Sequence, residues 1–157
     1  MWYASRTERG AWAELFRHFL DDGVSPFEIR RRVGRVDAQV VTLDLTSKRI
    51  RDALGVSVDE LIGDDLTVCQ ELAELAIEAG FEAIHAPAAP LERERTLAVF
   101  GTAIRTDLVD VLDKGVHRAP IRMYDVMRAI RLPADRADRI GRSFEALIVE
   151  WQLRRGR

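Results

Sequence analysis

Residues 63–100 read GDDLTVCQELAELAIEAGFEAIHAPAAPLERERTLAVF and carry the plainest secondary-structure signals of the chain. After the two aspartates, apolar residues at helical spacing form one predicted stripe: Val68, Leu72, Leu75 and Ala79. Gly80 then occupies the position of a helix C-cap. Two short apolar runs, FEAIH and TLAVF, lie on either side of the loop HAPAAP and are typical of strands. This stretch therefore predicts a helix and two strands joined by a proline-containing loop.

The flanking segments extend the pattern in both directions. A strand-like start, MWYAS, leads into Ser5–Glu8, which has capping-box spacing, and then into a helical run after Trp12. Apolar and polar residues alternate over residues 26–45, which predicts two strands on either side of Gly34. Two short helices are predicted next: the first ends at Gly55 and the second begins with a capping box at 57–60. From residue 106 the pattern turns helical, with one helix that ends at Gly115 and a further helical run that starts at Pro120. We expect an α+β fold, with a small mixed β-sheet, flanking helices and a helical C-terminal tail.

Bulk composition fits a globular protein with one main domain. The chain has 157 residues, of which 47% are hydrophobic and 32% charged. A single cysteine, Cys69, excludes an intramolecular disulfide and favours a reducing compartment. No signal peptide or membrane-length apolar run is visible in the sequence, so we expect a cytoplasmic location and no membrane partner.

The charge is unevenly distributed along the chain. Residues 1–117 carry 14 Lys and Arg against 21 Asp and Glu, a balance of −7, whereas residues 118–157 carry 10 Arg against 5 acids, a balance of +5. A basic tail on an acidic body favours packing of the tail on its own body or on a copy of it, as in a homo-oligomer. Direct nucleic-acid binding is disfavoured, because neither a recognised motif nor aromatic interleaving supports it.

Pattern alone reveals no strong catalytic or metal-binding motif. His18, His85 and His117 lie far apart without ligand spacing, so we expect no metal site. Cys69 fits a packed thiol better than a nucleophile, since no neighbour in sequence marks a depressed pKa. The arginines at 30–32 fit a solvated strand edge better than an anion site, although both interpretations stay open.

Glu14 is the most informative carboxylate. On its helix the apolar side is set by Trp12 and Phe16, and Glu14 lies nearly opposite, beside Arg17 and His18. Glu14 and His18 are four residues apart and can therefore pair on one face. Taken alone, this arrangement predicts a solvated surface.

The sequence resembles the RES domain family over residues 1–104, which leaves 105–157 as a helical basic tail. The matching motifs are LDLT, ALGVS, a GDD that precedes CQ, AGF, the AP loop and LAVF, together with WYAS and AWAE near the start. The resemblance implies a fold like that of ADP-ribosyltransferase toxins. It also implies membership of a toxin–antitoxin pair, with a cognate antitoxin protein as partner.

For activity, the resemblance implies that NAD is the substrate. Its nicotinamide–ribose bond would be cleaved by hydrolysis, by phosphorolysis or by ADP-ribosyl transfer, without a metal. The family's catalytic glutamate corresponds to Glu14 and its tyrosine, which helps to hold NAD, to Tyr3. The family's serine follows the AP of the loop, where this chain has Ala88. The family's arginine lies upstream of the tyrosine, so the chain is N-terminally short by comparison, and we assign Arg6 and Arg9 no role.

These departures set the functional expectation. Loss of an arginine that binds phosphate and of a serine hydroxyl weakens binding and transition-state stabilisation, so we expect impaired or absent turnover of NAD. The alternative is a catalytically inactive RES-derived protein that binds an antitoxin or a copy of itself. A small binding module unrelated to NAD is disfavoured by the length of the matching segment.

Overall fold

The structure is a computed structural model that describes residues 1–22, 24, 29–32, 34, 36–101, 109–111 and 116–118, and the single positions 130, 149 and 153. Within these residues the strands are β1 (Trp2–Ser5), β2 (Arg30–Arg32), β3 (Val36–Ala38), β4 (Thr42–Asp44), β5 (Ala83–Pro87), β6 (Arg95–Val99), β7 (Val109–Val111) and β8 (Val116–Arg118). The helices are α1 (Glu8–Asp21), α2 (Lys48–Leu54), α3 (Val58–Ile62) and α4 (Thr67–Glu78). None of the described helices is long and apolar enough to cross a membrane.

Four strands form a mixed sheet in the order β1-β6-β5-β4. The β1–β6 and β6–β5 pairs are antiparallel, and β5–β4 is parallel. Strand β6 therefore has a partner on both sides, which fixes its backbone more firmly than that of an edge strand. The predicted α+β fold with a small mixed sheet and flanking helices is confirmed.

Two antiparallel ribbons account for the remaining described strands. Strand β2 pairs with β8, and β3 pairs with β7, so the two strands predicted around Gly34 are present. The helix that we predicted to end at Gly115 is wrong at β7, and β8 lies between that predicted helix and the one predicted from Pro120. The valines of VDV alternate with an aspartate at the two-residue period of a strand, and cross-strand pairing outweighs the weak helical signal. The rest of the predicted helical tail lies outside the described residues, apart from Val149 and Leu153, which are helical.

Helix α1 begins at Glu8, two residues later than the start that the predicted capping box at Ser5–Glu8 requires. Ser5 lies in β1, and the helix is capped by Thr7, whose hydroxyl accepts a hydrogen bond from the backbone N–H of Gly10 at 2.9 Å. The first turn lies very close to β1, because a Cβ on Gly10 would be 3.1 Å from the Cβ of Ser5. Glycine at this position therefore lets the helix approach the edge of the sheet.

The other helix ends follow the sequence signals. Ser57 and Glu60 form the predicted capping box at the start of α3. Gly55 and Gly80 have positive φ angles of 68° and 82° and follow α2 and α4. After α4, the N–H groups of Gly80 and Phe81 return to carbonyls of the last turn, at 3.0 Å and 2.9 Å, in a Schellman arrangement.

The main core lies between α4 and one face of the sheet. Its buried members are Leu45, Leu72, Ala76, Ile84 and Phe100. The predicted stripe of α4 is wrong in its second half, because Leu75 is 60% exposed and Ala79 is also exposed. The stripe instead runs through positions 68, 72 and 76, a spacing of four residues that keeps it directed at the sheet.

Candidate functional site

A cleft lies between α1 and the α3–α4 segment, over one face of the four-stranded sheet. Because side chains alternate along a strand, one face of the sheet presents every second residue of three adjacent strands to the cleft, and the rest of the edge strand β1 also borders it. These floor residues are Tyr3 and Ser5 of β1, Thr96 and Ala98 of β6, and Ile84 and Ala86 of β5. The walls include Glu14, Arg17 and His18 on one side and Asp64, Cys69 and Gln70 on the other.

Glu14 is directed into this cleft. Its carboxylate accepts a hydrogen bond from the Thr96 hydroxyl, with 3.3 Å between Oγ1 and Oε1, and the side chain is half-buried. The solvated position expected from the helical pattern is therefore wrong. Trp12 and Phe16, on the opposite side of α1, are fully buried as well, so the helix is covered on two sides rather than one.

The electrostatic environment of Glu14 contains opposing influences. Burial is the largest influence and raises the pKa of Glu14 above its usual value. The Thr96 hydroxyl, then His18 and then Arg17 act in the opposite direction, because each favours the ionised carboxylate. A partly desolvated carboxylate with nearby cations is suited to stabilise a developing positive charge or to accept a proton.

Tyr3 lies on the floor of the cleft, two residues from Ser5 and opposite Ala98 on β6. Its side chain is 65% exposed, and β1 is an edge strand among the described strands. The ring is therefore available to a bound molecule in the cleft.

The loop after β5 presents its neighbours to the cleft rather than Ala88 itself. Pro87 and Ala89 line the cleft, whereas Ala88 is 1% exposed and its N–H donates to the Glu94 carbonyl at 3.0 Å. The Glu94 carboxylate in turn accepts a hydrogen bond from the Thr7 hydroxyl at 2.8 Å. The loop is thus connected to the N-terminus of α1, the helix that carries Glu14.

Two arginines of the cleft were not assigned a role from the sequence. Arg17 forms an ion pair with Asp64 at 2.9 Å and so connects the two walls of the cleft; its side chain is 11% exposed. Arg6 lines the mouth of the cleft, is exposed, and has no side-chain partner among the described residues. Arg9 is exposed and is not one of the lining residues. Arg6 follows β1 directly and lies beside the floor of the cleft because β1 pairs with the sheet. This pairing cannot be recognised from the linear sequence.

Cys69 lines the cleft from α4 but does not have the environment of a nucleophile. Burial, followed by the charge of Asp65, raises the pKa of the thiol, which disfavours the thiolate. Among the described residues, no group of three His, Cys, Asp or Glu side chains could hold a metal ion.

Two other sequence candidates, His85 and Arg31, are not among the described residues that line this cleft. His85 is directed to the other face of the sheet, where its Nδ1 is 3.3 Å from Asp44. The guanidinium of Arg31 stacks 4.6 Å from the ring of Phe19, and β2 as a whole pairs with the strand that contains His117. The structure therefore brings Glu14, Tyr3 and His18 together in one cleft and places His85 on the other face of the sheet.

The fold and the cleft define a class of protein that the family comparison identifies. The model of the RES domain family matches residues 1–116, about three quarters of the chain. The chain belongs to the RES domain family.

One relative and one solved structure make the comparison more specific. The "Probable NAD(+) phosphorylase Rv3189" of Mycobacterium tuberculosis is 49% identical over 131 residues, which cover 83% of this chain and 62% of that protein. This chain therefore spans less than two thirds of that relative's length. A chain of the crystal structure of the M. tuberculosis MbcT–MbcA toxin–antitoxin complex superposes with a TM-score of 0.60 and 17% identity, covering 82% of this chain and 72% of that one. At that identity, the superposition shows a shared fold.

Proposed function

We propose that this protein cleaves the bond between nicotinamide and ribose in NAD, with Glu14 as the catalytic residue. The observation that carries the proposal is the half-buried Glu14 carboxylate, which is directed into a cleft floored by the sheet. Support comes from membership of the RES family and from a relative named as a probable NAD(+) phosphorylase.

The chemistry follows from the charge that develops on the sugar. Nicotinamide leaves with the electron pair of the C–N bond, and the ribose carbon becomes oxocarbenium-like. The Glu14 carboxylate stabilises this positive charge electrostatically. An oxygen of inorganic phosphate, or of water, then bonds to that carbon; in hydrolysis, Glu14 accepts the proton that water loses.

Other cleft residues would hold the substrate. The exposed Tyr3 ring can stack on the nicotinamide end, and Arg6 at the mouth of the cleft can pair with the pyrophosphate, since a guanidinium matches phosphate geometry. Arg17 already pairs with Asp64 and would instead fix the width of the cleft. Ala88 occupies the position of the family's serine but offers no hydroxyl.

We also propose an antitoxin protein as partner, because a structural neighbour with this fold is part of a toxin–antitoxin complex. The cytoplasmic location, the homo-oligomer, the absence of direct nucleic-acid binding and a tail that begins at residue 105 stay predictions from the sequence. Impaired turnover also stays a prediction, and the inactive antitoxin-binding protein is its alternative.

The test is to incubate the purified full chain with NAD, with and without inorganic phosphate, and to follow nicotinamide release by chromatography. We expect release that falls at least about 100-fold in Glu14→Gln, the typical effect of removing one electrostatic stabiliser. Glu71→Gln is the matched control, because Glu71 is exposed on α4 and is not one of the cleft-lining residues; it should stay within about twofold.

The products separate the possible reactions. A phosphorylated ADP-ribose that forms only with phosphate indicates phosphorolysis, and free ADP-ribose indicates hydrolysis. No release by the wild type at high protein concentration would overturn the proposal and favour the inactive binding protein.

A further inference from the structure

We infer that Thr96 is a positioning residue that orients the Glu14 carboxylate, so that the hydroxyl used by this cleft is at position 96 and not at position 88. The inference rests on the proposed function for its catalytic consequence. Its structural part concerns only two side chains and can be measured without NAD.

Thr96 is held firmly at the centre of the floor. It lies opposite Ser5 on one side and opposite Ala86 on the other, so β6 is bonded to both neighbouring strands at this point. A β-branched side chain on a strand has few χ1 rotamers, and its hydroxyl direction is therefore well defined. This hydroxyl donates to Oε1 of Glu14 across 3.3 Å.

The contact is long for an O–H···O hydrogen bond. Hydrogen bonds of catalytic groups are often loose before substrate binds and shorten in the complex. Glu14 is near the middle of a 14-residue helix and reaches the sheet only through its own side chain. A donor on the sheet thus restricts the rotation of that side chain.

The hydrogen bond also opposes the effect of burial on protonation. Desolvation favours the neutral acid, whereas stabilisation of an oxocarbenium-like carbon requires the anion. Thr96 is the strongest of the influences that favour the anion; the other two, His18 and Arg17, are on α1 itself. Removal of the hydroxyl should therefore leave Glu14 protonated over a wider pH range.

Position 88 lacks the geometry for the same task. Ala88 is 1% exposed, and its neighbours, not Ala88, line the cleft. Because residue 88 is enclosed and its N–H is already bonded to the Glu94 carbonyl, a hydroxyl introduced by Ala88→Ser would enter a space closed to solvent. We therefore expect it to make no contact with a molecule in the cleft.

The experiment compares Thr96→Val, Thr96→Ser and Ala88→Ser, with Thr42→Val as the matched control. Thr42 is a half-buried strand threonine on β4 whose hydroxyl donates to a backbone carbonyl. Two quantities are measured in the full chain: the pKa of Glu14 by NMR of side-chain-labelled glutamate without NAD, and kcat/KM for NAD loss between pH 5 and 8.

Thr96→Val should raise the pKa of Glu14 and move the acid limb of kcat/KM to higher pH by the same amount. At the plateau, kcat/KM should fall about 10-fold, the usual effect of one hydrogen bond to a charged group. The loss should be larger at pH 5 than at pH 8. Thr96→Ser should retain the wild-type pKa, and Ala88→Ser should change kcat/KM by less than about threefold.

Several outcomes would overturn the inference. One is an unchanged Glu14 pKa and acid limb in Thr96→Val, and another is the same shift in Thr42→Val. A third is restoration of Thr96→Val by a second Ala88→Ser substitution, which would put the functional hydroxyl at position 88. If the wild type does not consume NAD but Thr96→Val still raises the Glu14 pKa, the positioning role stands and the proposed function fails.

Discussion

Glu14→Gln should change activity and stability in opposite directions. The wild-type carboxylate is half-buried, and desolvation is the largest influence on it, so its pKa in the folded protein is raised. The ionised form of Glu14 is therefore less favourable in the folded protein than in the unfolded chain. Glutamine has nearly the same shape, carries no charge and still offers an oxygen to the Thr96 hydroxyl. At neutral pH the variant should consequently be more stable than the wild type while it loses activity.

The direction of the pKa shift of Glu14 determines the pH range in which Glu14→Gln is more stable than the wild type. A raised folded-state pKa contributes stability that is present at low pH and lost as the pH rises through that folded pKa. At pH 8 the wild type is ionised in both states and suffers the whole penalty. Below the ordinary glutamate pKa of about 4.3, it is protonated in both states and the penalty is absent. The advantage of glutamine should thus be full at pH 8 and close to zero near pH 4.

The magnitude is modest because the Thr96 hydroxyl, then His18 and then Arg17, partly offset the desolvation. Each favours the carboxylate over a neutral side chain, and glutamine does not benefit from that preference. Their influence is smaller than that of burial, so the net change keeps its sign. For a domain of this length, we expect the Tm of Glu14→Gln to exceed that of the wild type by roughly 2 °C at pH 8.

Differential scanning fluorimetry of Glu14→Gln, Glu71→Gln and wild type at pH 4, 6 and 8 provides the assay. Glu71 is exposed, so its variant should track the wild type at every pH. A Tm for Glu14→Gln below the wild type at pH 8 would refute the reasoning. A gain of equal size at pH 4 and pH 8 would do the same, because it would not depend on ionisation.

Two further predictions concern stability. Leu72→Ala should lower the free energy of unfolding by about 2–5 kcal/mol in urea titrations. Leu75→Ala, at the third position of the predicted stripe but 60% exposed, should change it by less than about 0.5 kcal/mol. Equal losses in the two variants would restore the stripe expected from the sequence. Thr7→Val should lower the free energy of unfolding by about 2 kcal/mol: about 1 for the lost cap of α1 and about 1 for the lost hydrogen bond to Glu94. An unchanged midpoint in urea titrations would exclude both contributions.

Local signals in the sequence predicted local structure well. The glycines that end α2 and α4 and the capping box that opens α3 depend on backbone groups only a few residues away. Strands β5 and β6 were also visible, since each is a short apolar run next to a turn. The start of α1 was misplaced, because Ser5 and Thr7 are both good caps and only the pairing of β1 with β6 decides between them.

The exposure of side chains was harder to predict because it depends on which elements meet. The hydrophobic pattern of α1 identifies one buried side, and Glu14 lies opposite it. The structure adds a second covering surface, the sheet, against that opposite side. Periodicity cannot reveal a second neighbour whose contacts are polar, since it counts only apolar residues.

The same dependence on neighbouring elements applies to the hydroxyls of the cleft. By the resemblance, position 88 is the departure from the family that the sequence makes visible, and Thr96 is an ordinary strand residue. In the structure, the residue at 88 is enclosed and Thr96 is the side chain that touches Glu14. A contact between residues 82 positions apart arises only from the pairing of β1, β6 and β5 beneath α1. The residue that we infer to position Glu14 consequently lies outside the positions that the family resemblance singles out.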